Sequence, residues 1–261
     1  MSDGLLKMGD GCHIAWTETG PLYAPPLILS NSLGTNRNMW LPQLDILSKN
    51  FRVIRYDTRG HGLSDVPRGT YSLDRLGRDV LELANYFELS DFSFCGLSLG
   101  GMTAQWLGVF APERLRRLII ANSSPYMGPP SSWDERITYV LKNQVASIAD
   151  TVIEKWFTEK FRENKKNDIE SMRNVLCKTD VAGYTGCCSA IRDMDMRPII
   201  HLITTPSLII GGSMDPATPP SHTQELNDKI KNSRCVMLNS AHLSNIEEEI
   251  KFNKNIMDFL V

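Results

Sequence analysis

Residues 91–111 read Asp-Phe-Ser-Phe-Cys-Gly-Leu-Ser-Leu-Gly-Gly-Met-Thr-Ala-Gln-Trp-Leu-Gly-Val-Phe-Ala. Phe92, Phe94 and Cys95 form a short apolar, β-favouring run, and Gly96-Leu97-Ser98-Leu99-Gly100 then fits G-x-S-x-G. Met102, Gln105, Trp106 and Val109 recur at helical spacing. The stretch is therefore predicted to run strand, sharp turn, helix. Small residues two before and two after the apex let strand and helix approach closely. The hydroxyl of Ser98 is expected to point out of the sheet. The N–H of Leu99, at a helix start, is expected to face any negative charge that develops there. An ordinary glycine-rich turn could carry the same letters; the strand before it and the helix after it favour a nucleophile.

Outward from this turn, strand and helix signals alternate. Residues 4–18 resemble a hairpin turning at Gly9-Asp10-Gly11. Leu27–Ser30, Phe51–Tyr56 and Leu115–Ala121 are predicted strands, Asn36–Ser48 carries helical signals, and Leu73–Phe87 is a predicted amphipathic helix. After Pro206 come a strand at Ser207–Ile210, a loop over Gly211–Pro216 and a helix at Pro219–Lys231. The strand Cys235–Leu238, the loop Asn239–Leu243 and a closing helix Ile246–Leu260 complete the chain. Short apolar strands separated by helices imply an α/β fold, with a mostly parallel central sheet covered by helices on both faces. Residues 125–200 break the alternation and carry only helical signals, at Trp133–Asn143, Ile148–Phe161, Asp168–Cys177 and Tyr184–Asp193. A helical cap over 125–200 is expected, inserted between core segments 1–124 and 201–261 and lying over the strand ends where ligands bind. A packing subdomain without a ligand role is the alternative.

A length of 261 residues and 42% hydrophobic content allow one sizeable core. A formal net charge of -2 gives no reason to expect nucleic acid or an anionic membrane as a partner. Cys12, Cys95, Cys177, Cys187, Cys188 and Cys235 are scattered without zinc-like spacing, and are expected to be reduced thiols. The N-terminal residues lack a basic and apolar leader, and no apolar run approaches a membrane span, so a cytoplasmic protein is expected.

Ser98, Asp215 and His242 each fall in a loop after a predicted strand, in the chain order Ser, Asp, His. That is the order of the α/β-hydrolase fold. Parallel strands end on one edge of the sheet, so the three side chains can converge there. Ser98 needs a base to become nucleophilic, His242 can take and return its proton, and Asp215 can fix the imidazole tautomer. Taken singly, Asp215 could cap the turn before Pro216 and His242 could be a satisfied loop histidine. The second oxyanion donor is expected after Leu27–Ser30, at the N–H of Leu33, although Asn31-Ser32 stands where many hydrolases of this fold have His-Gly. His61, between Gly60 and Gly62, is read as a loop-stabilising residue rather than the base.

The motifs resemble those of the 3-oxoadipate enol-lactonases, over nearly the whole chain. Leu29-Ser30-Asn31-Ser32-Leu33-Gly34-Thr35, Arg55-Tyr56-Asp57-Thr58-Arg59-Gly60-His61-Gly62 and Ala241-His242-Leu243-Ser244-Asn245 carry the likeness beside the elbow. In the cap, Ser131-Ser132-Trp133-Asp134-Glu135-Arg136-Ile137, Lys155-Trp156-Phe157-Thr158 and Gly183-Tyr184 match as well. The resemblance implies opening of a small unsaturated lactone bearing an acetate arm, with no metal and no organic cofactor. Trp133 and Arg136, i and i+3 on a predicted helix, are expected to read that carboxylate, with Trp156 closing the pocket. The alternative is that Arg136 pairs with an acidic neighbour and both tryptophans are cap core. A general carboxylesterase or cofactor-free perhydrolase would use the same triad, and a non-catalytic binding protein could retain it.

Overall fold

The computed structural model describes residues 2–261. β1 (Ser2–Lys7) and β2 (His13–Thr19) form the hairpin expected of the first residues. β3 (Pro26–Ser30), α1 (Leu41–Leu47), β4 (Arg52–Tyr56), α2 (Leu73–Tyr86), β5 (Phe92–Leu97), α3 (Leu99–Phe110) and β6 (Leu115–Ala121) follow. Next come α4 (Pro130–Asn143), α5 (Ala149–Trp156), α6 (Glu159–Asn164), α7 (Lys166–Cys177) and α8 (Val181–Asp193). β7 (Ser207–Gly212), α9 (Pro220–Lys229), β8 (Ser233–Leu238), α10 (Ser244–Glu247) and α11 (Glu249–Leu260) close the chain.

The described residues form an eight-stranded sheet in the order β1-β2-β4-β3-β5-β6-β7-β8. Pairing is antiparallel from β1 to β4 and parallel from β4 onward. Every residue of β5 and β7 is buried, as continuous apolar strands covered on both faces must be. The chain leaves β3 toward β4 on one side and returns to β5 on the other. This reversal parts the loops after β3 and β5 at the carboxyl edge and opens a crevice between them. Those loops carry Leu33 and Ser98, and Ser30 pairs directly with Gly96 beneath them.

Local chemistry sets the helix starts. The Ser72 hydroxyl accepts the Arg75 N–H to cap α2, and the Asp180 carboxylate accepts the Ala182 N–H at 2.7 Å to cap α8. Two helices expected to be continuous are broken. Ile148–Phe161 divides at Phe157, whose backbone is extended, because Thr158 caps α6 and gives its own N–H to Glu247. Ile246–Leu260 divides at Glu248, which keeps Glu247 on a short turn beneath Ala241. β7 also runs through Gly211 and Gly212, where a loop was expected. A Cβ on either would overlap Thr223 or the Ala241 carbonyl.

The loop after β4 is anchored to α2 by a buried ion pair. Arg59 donates from Nε and Nη2 to the two oxygens of Asp79, at 2.6 and 2.7 Å, and from Nη1 to the half-exposed Asp10 at 2.8 Å. Gly60 on this loop meets Gly183 of α8 backbone to backbone, so closely that a Cβ on either residue would collide. Removing one member of a buried pair leaves the other charge uncompensated. Asp79→Ala should therefore destabilise the protein by about 3–5 kcal/mol in urea unfolding. Asp10→Ala, at the exposed end of the same cluster, should cost less than about 1 kcal/mol.

Candidate active site

Ser98 stands between β5 and α3 with φ 57° and ψ −111°. A side-chain-bearing residue rarely adopts such a backbone, and holding it costs about 1–3 kcal/mol. The surroundings hold it there. Its N–H donates to the Ala121 carbonyl at 2.9 Å, and its carbonyl accepts the Ser123 hydroxyl at 2.9 Å. A Cβ on Gly96 would overlap the Gly100 carbonyl, and one on Gly100 would overlap the Ser30 carbonyl. The two glycines are thus needed for close approach, not for their own dihedrals.

His242 lies after β8 and is buried. Its Nδ1 is 2.8 Å from Asp215 Oδ2, which leaves Nε2 for the cavity side. Asp215 also accepts the Asn122 amide at 3.0 Å, the Thr218 hydroxyl at 2.7 Å, and the N–H groups of Ala217 and Thr218 at 2.8 and 3.0 Å. Burial alone would raise its pKa; the His242 charge and these donors outweigh burial and hold it down at about 2. Asp215 therefore caps its turn and orients the histidine at once. The two uses that the sequence set against each other coexist on different oxygens.

The loop after β3 is braced by side chains. Asn31 donates to the carbonyls of Ser32 and Thr35, at 3.2 and 3.0 Å, and accepts the Thr58 hydroxyl at 3.2 Å. The N–H of Ser32 meets Met39 Sδ, that of Gly34 donates to His61 Nε2, and that of Thr35 donates to the Ser32 carbonyl. Among the described residues the N–H of Leu33 has no protein acceptor. The N–H of Leu99 is equally uncommitted, as a first-turn helical donor must be.

A cavity of about 410 Å³ brings these parts together. Leu33, Ser98, Trp133, Arg136, Trp156 and His242 line it, while Asp215 and Leu99 sit behind His242 and Ser98. Arg136 is bonded to the Tyr184 hydroxyl, and its guanidinium lies 5.5 Å from the ring centres of both Trp133 and Tyr184. It makes no ion pair among the described residues, and its Nε is buried without a partner. The alternative in which an acidic neighbour neutralises Arg136 therefore does not hold. Trp133 turns its indole N–H to the Met127 carbonyl at 2.8 Å, and Trp156 is both core and cavity wall.

Three further residues were missed in the sequence. Lys155, exposed at the rim, lines the same cavity; its i, i+3, i+4 spacing with Val152 and Trp156 was the available signal. Asn122, one residue past a strongly apolar strand, ties Asp215 to the Ala241 carbonyl. Glu247 accepts the Ala241 N–H at 2.9 Å and the Thr158 N–H at 3.3 Å, while the Leu243 N–H donates to the Trp156 carbonyl at 3.0 Å. The loop bearing His242 is thereby tied to the end of α5.

The sequence profile of the alpha/beta hydrolase fold matches residues 25–249. The chain is 39% identical to 3-oxoadipate enol-lactonase 2 of Acinetobacter baylyi over 229 residues, which cover 88% of this chain and 86% of that protein. The crystal structure of the enol-lactonase from Burkholderia xenovorans LB400 superposes with a TM-score of 0.96 at 37% identity, covering 98% of this chain and 99% of the other. A hydrolase from Pseudomonas aeruginosa PA01 superposes with a TM-score of 0.97 at 41% identity, covering 99% and 98%.

The depressed pKa of Asp215 has a thermodynamic signature. Relative to an unfolded carboxyl near its ordinary 3.8, the folded value of about 2 favours folding wherever the unfolded group is ionised. This contribution of about 2 kcal/mol is complete above about pH 4 and disappears as the pH falls toward 2. Urea unfolding of wild type between pH 5 and 2 should contain this loss, and Asp215→Asn should lack it.

Proposed function

The chain belongs to the α/β-hydrolase fold family, and we propose that within it the protein hydrolyses 3-oxoadipate enol-lactone to 3-oxoadipate. The observation that carries the substrate reading is Arg136. A half-buried guanidinium with no acidic partner among the described residues, beside two aromatic rings in the cavity that holds Ser98, suits a small substrate with a carboxylate arm. The likeness to enol-lactonases over most of the chain supports the same assignment.

In this mechanism Ser98 Oγ attacks the lactone carbonyl as His242 Nε2 takes the hydroxyl proton. Asp215 stabilises the imidazolium through Nδ1. The N–H groups of Leu33 and Leu99 receive the oxyanion, uncommitted as they are to other acceptors. Collapse breaks the ring C–O bond, and the expelled enol oxygen takes the proton from His242. The enol becomes a ketone, which draws the ring opening forward. Water, deprotonated by His242, then cleaves the acyl-serine ester and releases the dicarboxylate. Arg136 holds the carboxylate arm throughout, Trp133 and Trp156 enclose the ring, and Lys155 at the rim favours entry of an anion. The partner in this reading is this small molecule, and no helix among the described residues is long and apolar enough to cross a membrane. The six free cysteines accord with the cytoplasm as the compartment.

Loss of the lactone's ultraviolet absorbance tests the reading. Wild type should open the lactone rapidly and Ser98→Ala should abolish this. Arg136→Ala should lower kcat/KM for the lactone by about 10²-fold, chiefly through KM, while changing p-nitrophenyl acetate hydrolysis only a few-fold. Equal loss on both substrates would remove Arg136 from carboxylate recognition. Hydrolysis of the acetate without the lactone would make the protein a general esterase.

A further inference from the structure

His61 is fully buried yet takes no part in the triad. Its Nε2 lies 2.9 Å from the Gly34 N–H, which can only donate, so Nε2 carries a lone pair and the proton sits on Nδ1. Nδ1 faces the Arg59 carbonyl at 3.3 Å and Cys187 Sγ at 4.0 Å, the latter from α8. Arg59 itself is engaged by Asp79 and Asp10. Burial pushes the His61 pKa down to about 4, so the ring remains a neutral acceptor in the working range of the site. Gly34 follows Leu33 directly, and its own φ is 77°.

We propose that His61 is a positioning residue of the oxyanion hole. By accepting the Gly34 N–H it fixes the Leu33–Gly34 peptide, and so aims the preceding N–H, that of Leu33, at the reacting carbonyl. The proposal rests on the reading of Leu33 as an oxyanion donor. The loop spans five residues from its brace at Asn31 to its turn at Thr35, and the N–H groups flanking Leu33 are each committed to a side chain. Without the imidazole acceptor the buried Gly34 N–H is unsatisfied, and rotation of the loop to recover a partner carries the Leu33 N–H off line. Oxyanion stabilisation grows only as the tetrahedral intermediate forms, so the effect belongs to kcat and not to ground-state binding.

His61→Gln and His61→Asn test this together. The Gln amide oxygen can reach the place of Nε2, whereas Asn ends near the place of Nδ1 and leaves Gly34 unpaired. p-Nitrophenyl acetate and the enol-lactone are both assayed, because the oxyanion is common to them. His61→Asn should lower kcat by about 10²-fold on each with KM within about two-fold, and His61→Gln should recover to within about ten-fold of wild type. Inhibition by a trifluoromethyl ketone, which forms a tetrahedral adduct on Ser98, should weaken in parallel with kcat. An undiminished kcat in His61→Asn, an equal loss in both variants whether from misfolding or from chemistry, or a change confined to KM would each overturn the proposal. A wild type that cleaves the acetate but not the lactone would remove the lactone reading, and the two variants would still decide the role of His61 on the acetate.

Discussion

The site depends on one backbone conformation. Ser98 at φ 57° and ψ −111° is unfavourable by itself, and persists because its flanks cannot relax. β5 is buried along its length and α3 from Leu99 to Gly108, Gly96 and Gly100 let the neighbouring carbonyls come into contact distance, and Ala121 at the end of β6 and Ser123 in the loop after it bond the serine backbone on either side. Relaxing the turn would separate a strand and a helix from the centre of the core. The strain thus rests on apolar packing, and it presents the hydroxyl at the edge where the strand order reverses.

Two buried titratable groups complete the arrangement, and burial disfavours the charged form of each. Asp215 remains ionised because the His242 charge and several donors outweigh its burial; His61 remains neutral because burial outweighs the single Arg59 carbonyl beside it. The charged group faces the imidazole that must become cationic. The neutral one faces an N–H that needs an acceptor. Each protonation state is the one its neighbour's chemistry requires, and neither needs adjustment when substrate arrives.

Much of this was legible because its signals are local. The elbow, the buried strands and the order Ser98, Asp215, His242 rest on periodicity and small residues, and strand ends of a parallel sheet share an edge whatever the details. What was not legible depends on pairs remote in sequence. Glu247 breaks the helix expected over Ile246–Leu260 and fixes the break at Phe157–Thr158, from 89 residues away. Asn122 reaches Asp215 across 93 residues. Arg136 could be placed in the cap by spacing, but its lack of an acidic partner is a property of the assembled cap. Lys155 lies next to Trp156, and its place at the cavity rim is set by the fold of the surrounding helices.

The bonds from Glu247 to Ala241 and Thr158, with that from Leu243 to the Trp156 carbonyl, tie the loop of His242, the proposed general base, to the end of α5. Among the described residues, α4 and α8 carry no such tie to the loop of His242. Divergence within this lineage is therefore channelled. Substitutions on α4 and α8 can reshape the acyl pocket while the proton relay stays in register. Insertions or deletions near residues 156–158 would displace the histidine along with the wall. New substrate ranges should accumulate on α4 and α8, with the end of α5 inherited together with the loop of His242.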